Sequence, residues 1–132
     1  MHQFNIKTQQ RSQMLEITRQ VQAAVTEAGV TAGTVIVYVP HTTAGVTINE
    51  NADPDVVHDM LRQIDEMVPW EQPFYRHDEG NSAAHVKASM MGSSVMVLVE
   101  GGKLVLGRWQ GIWFCEFDGP RTREIIVQTN DL

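Results

Sequence analysis

Cysteine is nearly absent: Cys115 is the only one, so no internal disulfide can staple the fold. No run approaches the ~20 apolar residues that a membrane-spanning helix needs, and residues 1–10 lack the apolar segment and small-residue cleavage site of a secretory leader. A soluble cytoplasmic protein with no membrane partner is expected. Basic charge is also scarce. Ten Lys and Arg stand against sixteen Asp and Glu, for a formal net charge of −6, and the two signs are interspersed rather than clustered. That excludes the basic face of a protein that reads a phosphate backbone, so no nucleic-acid partner is expected. Also missing are a glycine-rich phosphate loop, an H-E-x-x-H helix, a paired-cysteine metal motif, and any internal repeat or low-complexity tract.

What is present is 132 residues, read as one domain over 1–132, enough chain to bury roughly two-thirds of its unfolded surface in one core. Residues 3–9 alternate weakly and suggest an opening strand. Ser12 then reads as the cap of a helix whose apolar residues Met14, Ile17, Val21, Val25 and Ala28 recur every three or four positions, closed by Gly29. The β-branched run 34–39 predicts a central strand buried on both faces, which Pro40 ends because it has no N–H for the ladder. A short strand is expected at 46–48. Asp53-Pro54 then predicts a capped helix with proline at its first position. Its core stripe is Val57, Met60, Leu61, Ile64 and Val68, with His58 off the stripe on the surface. No periodicity survives from 69 to 81, and a loop of that length in a compact domain is more often functional than filler. Ser82 predicts the start of a short helix, 83–91, closed by Gly92. Strand-like runs follow at 94–99, 103–107, 111–117 and 123–129, with turns at 100–103 and 118–121. The class is α+β: an antiparallel-rich mixed sheet with a C-terminal meander, two main helices and one short helix.

Three histidines, His41, His77 and His85, sit among small polar turn residues where packing has no use for imidazole. Neutral imidazole is the commonest metal ligand, and a catalytic zinc takes three protein ligands while leaving a fourth position for water or substrate. The trio therefore predicts a divalent metal site, with zinc as the ion. Near a helix start His85 is biased toward its neutral form, and Asn81, Ser82 and the free N–H groups of that turn, with Lys87 nearby, suit an anion. Between a strand and a capped helix lie Asn49, Glu50 and Asn51. Capping does not explain Glu50, which becomes a candidate general base. In Gly107-Arg108-Trp109-Gln110-Gly111, packing accounts poorly for Arg108 and Gln110. Glu116 interrupts an apolar strand and needs a buried partner, such as an arginine of the same or another chain. Cys115 reads as a small core residue. Arg121 and Arg123 read as anion-binding groups or a charged strand edge.

Several segments carry a resemblance over nearly the whole chain: Pro40-His41-Thr42-Thr43-Ala44, residues 48–54, Glu79-Gly80-Asn81-Ser82 with His85 and Lys87, the run from Ser94 through Gly102 and Gly107 to Trp109-Gln110 and Ile112, and the closing segment 115–121. Together they resemble the YjbQ family of small uncharacterised proteins. One departure is Arg108, where the family pattern commonly has threonine. The resemblance implies an α+β homotrimer with pockets near subunit boundaries, a bound zinc, and a secondary thiamine-phosphate synthase activity. For that activity Lys87, Arg108 and Arg121 would hold phosphate, Trp109 would face the pyrimidine, Glu50 would orient a ring nitrogen, and Asn49, Asn81, Ser82 and Gln110 would complete the substrate contacts. His41, Glu50 and Arg108 are the catalytic candidates, and magnesium would accompany a pyrophosphate substrate. Two other functions compete: a zinc-dependent hydrolase or lyase acting on a small anion, with Glu50 activating water, and a trimeric module that binds a small phosphorylated metabolite.

Overall fold

The β-branched run does form a central strand. In the computed structural model, which describes residues 1–132, β3 (Ala32–Tyr38) is flanked by β5 (Ser94–Glu100) and β8 (Thr122–Asp131). With β1 (His2–Lys7) and β6 (Lys103–Leu104) at its edges, it completes a five-stranded sheet ordered β1-β8-β3-β5-β6. A second sheet has the order β2-β7-β4, from β2 (Gln13–Glu16), β7 (Gln110–Glu116) and β4 (Ala44–Glu50). Every pairing is antiparallel. The C-terminal strands are thus antiparallel, as expected, and are shared between the two sheets: β7 belongs to the small one, and β8 returns to lie between β1 and β3. The α+β class is borne out.

The main core lies between the sheets. Val35, Val37, Val97, Val99, Ile125 and Val127 from the large sheet meet Val46, Ile112 and Phe114 from the small one, and α1 (Thr18–Ala28) closes the layer with Val21 and Val25. Each such side chain, fully buried, contributes about 1.5–3 kcal/mol. A smaller cluster of Met14, Ile64, Ala84, Ala88, Cys115 and Phe117 joins the other face of the small sheet to α2 (Pro54–Met67) and α3 (Ser82–Met91). The close seat of α3 on β4 depends on Gly45, where a Cβ would stand 2.6 Å from the Gly92 carbonyl oxygen. Cys115 is core, as read, and burial pushes its thiol up to about 12.

Besides the run 103–107, of which only Lys103–Leu104 is strand, two elements differ from expectation. Residues 13–16 are strand, not helix, because Gln13, Met14, Leu15 and Glu16 pair with Glu116, Cys115, Phe114 and Trp113. Pairing with β7 overrides the helical spacing and puts Met14 in one core and Ile17 in the other. The helix starts at Thr18 instead, whose Oγ1 accepts from Ile112 N (2.9 Å) and donates to Glu16 Oε2 (2.8 Å). The second difference is that β3 is buried on one face only. Val35 and Val37 point inward, while Tyr38 on β3 and Met96 and Leu98 on β5 are exposed apolar residues on the outer face. Asp53 caps α2 as predicted, its Oδ1 accepting from Asp55 N at 2.9 Å. No helix is long and apolar enough to cross a membrane.

Candidate functional site

Because Pro40 ends the ladder of β3, the chain leaves the sheet at 40–43 and turns beneath the start of β8. The Val39 N–H makes the last backbone bond, to Ser93 O (2.8 Å). This turn, the start of α3, the end of the 69–81 loop and the 118–123 segment enclose a polar cleft of about 670 Å³, within the range of small-molecule sites. His41, His77, His85, Asn81 and Arg121 all line it. His77 also borders an adjoining hollow of about 510 Å³ that includes Trp70, Pro73 and Tyr75.

The floor of the cleft is a buried ion pair. Glu116 is 0% exposed and Arg123 5%. Arg123 Nε donates to both Glu116 oxygens at 2.9 and 3.1 Å, and its Nη2 donates to Glu116 Oε2 and to Thr43 Oγ1 (2.8 Å). Glu116 Oε1 also accepts from Thr8 Oγ1 (2.8 Å), and its Oε2 accepts from the backbone N–H groups of Phe117 (3.1 Å) and Asp118 (3.2 Å). The partner that Glu116 requires is therefore an arginine of its own chain. Above the floor, Asp118 Oδ2 accepts from Arg121 Nη2 (2.9 Å) and Asn81 Nδ2 (2.8 Å), and Arg121 Nε donates to Asp118 O (2.8 Å).

His41 is held by β8: the Glu124 N–H donates to its Nε2 at 2.9 Å. The Nε2 lone pair is thereby used, so the ring is neutral and carries its single proton on Nδ1. Burial lowers its pKa below the usual 6.5, and the Arg123 guanidinium lowers it further; the carboxylates of Glu116 and Glu124 oppose the shift without reversing it. His77 and His85 meet edge to face, with ring centroids 5.5 Å apart. Glu79 Oε2 is 3.8 Å from His77 Nε2, and Asp78 Oδ1 is 4.0 Å from Nδ1.

The three histidines share a cleft but not a point. No group of three or more His, Cys, Asp or Glu side chains is arranged to hold a metal ion. The donor chemistry of His41 agrees. A metal on this ring would have to bind at Nδ1, and the neutral ring would then carry its proton on Nε2, facing the Glu124 N–H. The residues present do not fit a three-histidine metal centre.

The other candidates are scattered. Lys87 does not line the cleft: it is 1% exposed, and its ammonium pairs with Asp65 Oδ1 (2.9 Å), tying α3 to α2. Asn81, not Ser82, is the cap residue of α3. Asn49, Glu50, Arg108, Trp109 and Gln110 gather where β4 ends and β7 begins, since Glu50 pairs with Gln110. The cleft lies at the other end of that ladder, where Ala44 pairs with Glu116, roughly 20 Å away at the rise of an antiparallel strand. In this second group Glu50 Oε2 accepts from Asp53 N (3.2 Å), Gln110 Oε1 accepts from Gly107 N (2.8 Å), and the Arg108 guanidinium lies 4.9 Å from the exposed Trp109 ring centre. One chain does not bring the two groups together. Sequence reasoning assigned no role to Asp118 or Thr43, although both lie in segments that carry the family resemblance, Asp118 in a turn and Thr43 two residues after His41.

Comparison with known proteins places these features in context. The family model described as "UPF0047 protein YjbQ-like" matches residues 2–131. The chain is 59% identical to UPF0047 protein YugU of Bacillus subtilis over 125 residues, covering 95% of each chain. It is 48% identical to UPF0047 protein MJ1081 of Methanocaldococcus jannaschii, covering 95% of this chain and 90% of the relative. A crystal structure of an uncharacterized conserved protein of the same family from Clostridium acetobutylicum superposes with a TM-score of 0.96 at 52% identity, covering 98% of this chain and 100% of the other. These relatives are uncharacterised, and their names carry no reaction. Together with the absence of a three-donor group, this overturns the expected thiamine-phosphate synthase with a metal site at His41, His77 and His85, and with it the zinc-dependent hydrolase or lyase.

Proposed function

The chain belongs to the UPF0047 YjbQ-like family, and from the cleft that its fold builds we propose that it binds a small phosphorylated metabolite through protein N–H groups, without a metal ion. The observation that carries this reading is the convergence of donors in one cleft. His41 offers Nδ1–H because its other nitrogen is occupied. Arg121 has N–H groups left over from its two bonds to Asp118, out of the five that a guanidinium provides. The start of α3, whose Asn81 and His85 line the cleft, adds the end of a helix dipole that favours an anion. A cytoplasmic location belongs to the same proposal, as the compartment that holds most such metabolites.

Calorimetric titration of the purified protein with propyl phosphate, in the presence of EDTA, tests it. Saturable binding that chelation leaves unchanged is expected. His41→Ala should weaken it about tenfold, the loss of one charge-assisted hydrogen bond. Binding that appears only after zinc is added would overturn the proposal.

A further inference from the structure

The cleft does not end at His77. That side chain also borders the hollow of about 510 Å³ whose other walls include Trp70, Glu71, Gln72, Pro73 and Tyr75. Two aromatic side chains and a proline thus wall a hollow in the long connection between α2 and α3, where joining two helices requires none of them. The connection is built rather than loose. At its start the Arg11 guanidinium lies 4.1 Å from the Trp70 ring centre, a cation–π contact, and Arg11 O accepts from Gly119 N (3.1 Å). At its end Asn81 Nδ2 donates to Asp118 Oδ2 (2.8 Å). Both ends are therefore tied to residues 118–119, and Asp118 is itself a wall of the cleft. Between the ties, Tyr75 N donates to Gln72 O (3.2 Å) and Gly80 N to His77 O (3.1 Å), and the Phe74 ring meets Tyr75 edge to face with centroids 5.2 Å apart. These contacts fix the aromatic walls in place beside the cleft.

Aromatic walls that also carry polar groups suit a flat ring with a polar edge. We infer that the phosphorylated ligand is a nucleoside monophosphate, with its phosphate in the cleft, its base in the adjoining hollow and its ribose passing His77. The inference rests on the phosphate reading above and names the class of metabolite. Every nucleobase has a π-face that an aromatic side chain can meet, and its edge carries hydrogen-bond donors and acceptors. The Gln72 amide, which both donates and accepts, and the Glu71 carboxylate, which accepts, stand in the same walls. A hydrocarbon ring would offer those two groups no partner. The formal net charge of −6 sets a single nucleotide apart from a nucleic-acid strand, whose further phosphates would find no basic face.

Ribose 5-phosphate carries a hydroxyl in place of the base, so calorimetry in EDTA compares it with AMP, GMP, CMP and UMP. At least one of these nucleotides is expected to bind about tenfold more tightly than ribose 5-phosphate, the size of one base stacked on an aromatic side chain. Tyr75→Leu should remove most of that preference, and Tyr75→Phe should keep it. Tyr75 belongs to neither core cluster, so both variants should fold. Nucleotides that all bind no better than ribose 5-phosphate would overturn the inference and leave the phosphate reading intact. A preference undiminished by Tyr75→Leu would also overturn it, because the base would then lie elsewhere. If the nucleotides, ribose 5-phosphate and propyl phosphate all fail to bind, both readings fall. Should Tyr75→Leu not fold, the indole N–H signal of Trp70 in the wild type decides: it should shift with the preferred nucleotide and not with ribose 5-phosphate, and equal shifts would overturn the inference.

Discussion

Replacing Glu116 with glutamine is expected to destabilise the fold by about 3–5 kcal/mol, read from urea unfolding, the usual cost of removing one partner of a buried ion pair. The guanidinium of Arg123, itself buried, would keep its charge with no counter-charge beside it. The loss should exceed that of an isolated pair broken elsewhere, because Glu116 also accepts from Thr8 Oγ1 and from the N–H groups of Phe117 and Asp118. For the same reason the double replacement Glu116→Leu with Arg123→Met should recover only part of the stability. Two apolar side chains relieve the desolvation of the charges but supply no acceptor for the Asp118 N–H, and leave the Phe117 N–H only its bond to Thr43 O (3.2 Å). A single-variant loss under 1 kcal/mol would show that the carboxylate is not holding the floor of the cleft together.

The second large effect concerns Lys87, whose side chain is among the largest that are fully buried. Lys87→Ala should cost about 3 kcal/mol, as truncations of long buried side chains do. Lys87→Met should cost less than about 1 kcal/mol, because it preserves the buried stem and exchanges a desolvated charge for an apolar group. Neither substitution should change phosphate binding by more than the loss of folded protein explains. If Lys87→Met instead abolished binding in a stable protein, the lysine would be a ligand group, and its pairing with Asp65 would not describe the bound state.

Local signals were legible where their cause is local. Asp53-Pro54 with its stripe forms α2 as read, and the β-branched run 34–39 forms the central strand. Gly92 caps α3 on schedule, and Cys115 sits in the core. The failures share a long-range cause. Met14 and Ile17 fit a helical period, but residues 13–16 pair with β7 about a hundred residues away, and no window of sequence contains that partner. Lys87 looked like an anion ligand because it follows Asn81 and His85. The helix turns it away from the cleft, to meet an aspartate on α2. The interest of His41, His77 and His85 was visible in their polar turn settings, and they do line one cleft. What their spacing could not carry was the state of each ring nitrogen. That depends on the Glu124 N–H, delivered by a strand from the far end of the chain. Glu116 was the reverse case: the need for a partner followed from its apolar neighbours, while the identity of Arg123 depended on where β8 enters the sheet.

The state of the His41 ring is the point on which the metal-independent reading turns, and nitrogen-15 NMR of the imidazole measures it. The expected result is a neutral ring protonated on Nδ1 with Nε2 accepting a hydrogen bond, in EDTA and with zinc added alike, and a titration midpoint below 6.5, the direction set by burial and by Arg123. The sign for stability follows. With the folded value depressed, only the unfolded chain takes up this proton as pH first falls below about 6.5, so the contribution of His41 is complete above that pH and declines below it until the folded ring also titrates. A ring protonated on Nε2, or one whose Nδ1 resonance moves to a metal-bound position when stoichiometric zinc is added, would contradict the account.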